Sequence, residues 1–136
     1  MRISYDMFAG AFLSKITEYE FLSIPGDNRA EIIDGYMKRA ITSFNKICVY
    51  DLTGSTDDEQ REFALDIPSG DIDEILDIVS EGMVVQWLKP YLYKQELLES
   101  VLNTRDFTTY QNAQRDYTQM IREYSFNHND LTELHL

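Results

Sequence analysis

The stretch "GMVVQWLKPYLYKQELLESVLNTRDFTTY", Gly82 to Tyr110, decides the fold. Its apolar residues recur at helical spacing on both sides of Pro90, with Trp87 before it and Tyr91, Leu98 and Leu102 after it, flanked by Leu97 and Val101. Proline has no amide to donate to the Gln86 carbonyl and its ring crowds that turn, so the spacing predicts an end or a kink at residues 87 to 89. Because the stripe restarts at once, the expected arrangement is two helices meeting at an angle, or one bent helix. Trp87 and Tyr91 would pack at that corner.

Upstream, Asp71 and Glu74 stand at capping-box spacing, and Ile72, Ile75, Leu76, Val79, Met83 and Trp87 form one buried stripe. Asp73 and Asp77 add negative charge to the first turns. Helix-dipole complementarity accounts for these carboxylates without a catalytic role. Earlier still, Ser4 and Asp6 open a helix expected to reach Tyr19, with Phe8, Phe12 and Ile16 on one face, before Pro25 and Gly26 stop it. Asn28 and Glu31, again at capping-box spacing, introduce the clearest amphipathic pattern: Ile32, Ile33, Tyr36, Met37, Ala40, Ile41, Phe44 and Ile47. Lys38 and Arg39 fall on its solvated face.

Downstream of the opening stretch, Asn103 is expected to close a helix and "TRDFTTY" to turn before a last helix carrying Ala113, Tyr117, Met120, Ile121 and Tyr124. The fold class that follows is all-α: a small bundle of four to five helices, with a long acidic loop between the second and third. The loop spans residues 49–70 and includes "EFALDI", whose alternation of Phe63, Leu65 and Ile67 fits a short β-hairpin arm. A loop of that length is either a partner-contacting flap or a solvated excursion. Asp51, Thr53, Ser55 and Glu62 match positions of a calcium loop, but Thr56 stands where that loop requires glycine, so turn chemistry is the better account.

The chain has 136 residues, 43% apolar and 12% aromatic, which suits one compact domain over residues 1–124. The lone Cys48, between Ile47 and Val49, reads as a buried thiol and excludes an internal disulfide or a multi-cysteine metal site. No signal-peptide pattern opens the sequence and no window approaches the roughly 18 apolar residues of a membrane span, so a soluble, cytosolically made protein with no membrane partner is expected. The net charge of -12 is uneven: residues 1–48 balance at zero, residues 49–81 carry eleven acidic groups against Arg61 alone, and residues 82–136 sum to -2. Binding nucleic acid through a basic footprint is disfavoured by that distribution.

After Tyr124 comes "SFNHNDLTELHL", residues 125–136, where Asn127, Asn129 and Asp130 break the helix while Phe126, Leu131, Leu134 and Leu136 stay apolar. Such a tail packs on its own domain or docks into a neighbour, and docking is favoured. Partner contact is therefore assigned to Phe126, Leu131, Leu134 and Leu136. His128 and His135 read as surface polar groups rather than metal ligands. No phosphate loop, nucleophile elbow or histidine-carboxylate motif is present, and the expectation is a non-enzymatic protein without catalytic residues, cofactor or metal.

The stretch "VSEGMVVQWLKPYLYKQELLESVLNTRDFTTY" and the helix ending "YTQMIREYSFNHNDLTELHL" resemble the head-tail connector (neck or adaptor) proteins of tailed bacteriophages infecting Gram-positive bacteria. The similarity is strongest over Val79 to Leu136. It implies a structural virion protein, made in the host cytoplasm, that stands at the head-tail junction as a ring, commonly of twelve copies. Its partners would be further copies of itself, the portal protein, and a tail-side neck or tail terminator protein, with DNA passing through the ring without specific binding. An acidic loop ring bearing Asp57, Asp58 and Glu59 would then face the channel and repel DNA phosphates. Alternatives are an acidic DNA-mimic inhibitor or another helical protein-binding module.

Overall fold

A computed structural model describes residues 1–16, 28–97 and 104–130. Its elements run α1 (Tyr5–Ile16), α2 (Arg29–Phe44), a two-residue hairpin of β1 (Thr56–Asp57) and β2 (Glu62–Phe63), α3 (Ser69–Leu97) and α4 (Thr104–Ser125), with a π-helical turn over Phe126–Asp130. The mostly helical class and the short hairpin between α2 and α3 match the sequence reading.

The centre of the bundle is α3, which packs on each of the other three helices. Its sequence explains the position. Over residues 82–88 only Gln86 escapes burial, so the helix is apolar almost all round there and needs neighbours on several sides. Tyr5, Phe8 and Phe12 of α1, and Ile33, Met37, Ala40, Ile41 and Phe44 of α2, supply those neighbours. Phe12 meets Trp87 edge to face, with ring centroids 6.1 Å apart. Trp87 is thus a core anchor, while the side chain of Tyr91 lies outside the described residues.

Several local expectations are corrected. Two helices do not meet at Pro90: of the two arrangements expected there the structure has the single helix, whose 29 residues run through the proline. A proline removes one rung of the ladder, at a cost of about 3 kcal/mol, and the buried run from Gly82 to Leu88 sits directly before it to offset that cost. "TRDFTTY" is not a turn, because α4 starts at Thr104 and includes it. The Asn28–Glu31 capping box does not form: Asn28 has left-handed φ/ψ (60°, 23°) and no side-chain cap bond, whereas a capping side chain needs extended φ/ψ to reach the helix amides. The Asp71–Glu74 box also fails. The α3 helix begins at Ser69, and the Pro68 carbonyl accepts from Asp71 N at 3.0 Å and Ile72 N at 3.1 Å.

Ser4 does cap α1, its Oγ accepting from Met7 N at 3.2 Å. The first helix is described only to Ile16, so its expected end at Tyr19 lies outside the described residues, as does the stop at Pro25 and Gly26. The same applies to Leu98, Val101, Leu102 and Asn103, and to Leu131, Leu134, His135 and Leu136.

The α2, α3 and α4 helices converge at Gly82. A Cβ there would fall 2.7 Å from the Tyr117 ring and 2.9 Å from Ala40 Cβ, so the absence of a side chain lets the helices close. Tyr117 finishes the contact by donating from its hydroxyl to the Ala40 carbonyl at 2.7 Å. Among the described residues, no helix is long and apolar enough to cross a membrane.

Candidate interaction surfaces

The acidic segment 49–70 is not a solvated excursion: it is packed against the body. Leu52, Phe63 and Ile67 are fully buried in the core. Asn45 at the end of α2 organises its first turn, with Oδ1 accepting from Leu52 N at 2.7 Å and Thr53 N at 3.2 Å. Asp51, the first residue of the calcium-like pattern, is used locally: Oδ1 accepts from Gly54 N at 3.0 Å and from Asn45 Nδ2 at 3.2 Å. The Gly54 amide, and then Asn45, hold the Asp51 carboxyl below its ordinary range. A side chain at Gly54 would collide with that carboxylate.

The N-terminal residues extend the hairpin as an additional strand-like layer. Phe63 N donates to the Ile3 carbonyl at 2.9 Å, Tyr5 N to the Arg61 carbonyl at 2.8 Å, and Ile67 N to the Met1 carbonyl at 2.9 Å. Arg61 turns the hairpin in the left-handed region, φ 52°. Its guanidinium reaches Asp34 of α2 and Asp6 of α1, and Asp34 more than Asp6 raises its pKa. The one basic residue of the acidic segment is therefore its anchor to the body. Sequence separation hid this role.

Of the three carboxylates assigned to a channel wall, two already have internal partners. Asp57 Oδ1 caps Gln60 N at 3.1 Å. Asp58 accepts from Lys38 Nζ at 2.9 Å and from the Tyr5 hydroxyl at 2.7 Å while its side chain remains 66% exposed. Those contacts, Lys38 first, lower the Asp58 pKa, and burial followed by the Asp58 bond raises that of Tyr5. Glu59 is exposed at the tip. Lys38, read as a solvated cation, is part of this latch.

A second cluster forms where the end of α4 meets the start of α3. His128 Nε2 lies 2.7 Å from Glu74 Oε1, and its ring stacks on Tyr124 with centroids 4.1 Å apart. Asn129 Nδ2 donates to the Ile47 carbonyl at 2.8 Å. His128 is thus a half-buried clasp rather than a surface polar group, and the first residues after α4 pack on their own domain. Tyr124 separates His128 from Cys48: its hydroxyl accepts from Val49 N at 3.2 Å and lies 3.6 Å from Cys48 Sγ.

The clasp has the wrong electrostatics for nucleophilic chemistry. Burial pushes both the Cys48 thiol and the Tyr124 hydroxyl up, so both stay protonated near neutral pH. Nearby, the Tyr50 hydroxyl bonds Asp71, which pushes it up to about 12. Among the described residues, no group of three His, Cys, Asp or Glu is placed to hold a metal ion. The arrangement is one of structural fasteners around exposed surfaces.

No family model, curated protein or solved structure matches this chain.

A further exposed surface is the outer face of α4. Gln111, Gln114, Arg115, Thr118, Gln119 and Arg122 are exposed along it at helical spacing, ending at Phe126, which is 57% exposed. An open groove of about 700 Å3 is lined by Gln119, Arg122, Glu123, Ser125, Phe126 and Asn127. Phe126 is therefore exposed beside this groove, whereas the three leucines assigned with it lie outside the described residues.

Proposed function

We propose that this chain is a structural assembly protein, a head-tail connector subunit that joins further copies in a ring between portal and tail of a tailed bacteriophage. The observation that carries the reading is the fixed acidic hairpin segment, whose six carboxylates over residues 49–70 stand against Arg61 alone. Arg61 ties it to α1 and α2, and Tyr5 and Lys38 hold Asp58. A negative surface held in place is what the wall of a DNA channel requires, because it repels phosphate without a mobile segment obstructing the path. The resemblance over Val79 to Leu136 supports the same role, and the exposed Phe126 gives the assembly an apolar contact.

The same rigidity also favours a second reading, a DNA-mimic inhibitor, since mimicry needs carboxylates on a stiff face. The two readings separate on stoichiometry. A mimic acts as a small complex with a nuclease or restriction enzyme, whereas a connector multiplies around an axis. Negative-stain electron microscopy of the purified protein mixed with the portal protein of the same phage tests this. Rings with an open centre stacked on portal are expected, and a lasting monomer with no portal contact would remove the connector reading.

A further inference from the structure

We draw no further inference here: the strongest candidate, the cleft of about 280 Å3 between α1 and α2 lined by Ala9, Ala30 and Ile33 beside Arg29 and Arg61, carries nothing because nothing in the structure shows what covers it.

Discussion

Arg61 Nη2 lies 2.7 Å and 3.0 Å from the two carboxylate oxygens of Asp34, a bidentate clamp that joins the turn of the acidic hairpin to α2. The clamp also compensates for backbone geometry, since Arg61 is one of two non-glycine residues with positive φ among the described residues. Arg61→Ala should lose the clamp and retain the unfavourable backbone, lowering stability by about 1–2 kcal/mol. Arg61→Gly loses the same contacts but relieves the left-handed position, so its unfolding midpoint in urea should lie above that of the alanine variant. Equal midpoints for both variants and wild type would show that the hairpin is not held this way.

The convergence of three helices on Gly82 makes that position intolerant of a methyl group. Alanine normally gains about 1 kcal/mol over glycine inside a helix. Here the added carbon would stand 2.7 Å from the Tyr117 ring and 2.9 Å from Ala40 Cβ, an overpacking that costs about 1–3 kcal/mol. Gly82→Ala should therefore be less stable than wild type in chemical denaturation. A more stable variant would mean that Tyr117 gives way freely.

Alkaline pH should loosen the fold. Tyr50 and Tyr117 are pushed up to about 12, the first by its bond to Asp71 and the second by burial, and burial also raises Tyr5, Tyr124 and Cys48. Tyrosine in an unfolded chain ionises near pH 10. The folded state thus binds these protons more tightly, a stabilisation complete below the unfolded value and lost as pH rises from about 10 towards 12. Thermal midpoints measured from pH 8 to 12 should fall in that window. Tyr117→Phe should start about 1 kcal/mol lower, having lost its bond to the Ala40 carbonyl, and decline less steeply.

Removing Leu131 to Leu136 should leave a folded chain, because the clasp residues His128 and Asn129 remain. The truncated protein should keep the wild-type circular dichroism spectrum yet fail to enter particles in a complementation assay. Loss of the helical spectrum would show instead that this segment belongs to the core.

The buried faces were legible because each is a local periodicity: Phe8 and Phe12, Ile33 through Phe44, Ile72 through Trp87. What escaped reading joins residues far apart in the chain. Nothing near Glu74 in sequence announces His128, 54 residues away, and nothing near Asp34 announces Arg61. The pairing of Glu74 and Tyr50's claim on Asp71 also explain why the expected capping box dissolved: tertiary partners took the carboxylates. Pro90 left a break and a single bent helix both open for the opposite reason. Its local preference is real, but it was outweighed by the burial of the run from Gly82 to Leu88, whose extent only the packed neighbours reveal.

The most direct test of the assembly account is a cryo-electron microscopy reconstruction of the protein bound to the portal of its phage. The account predicts a closed ring in which the hairpin tip, with Asp57, Asp58 and Glu59, faces the central channel. A ring carrying those residues on its outer circumference would contradict it.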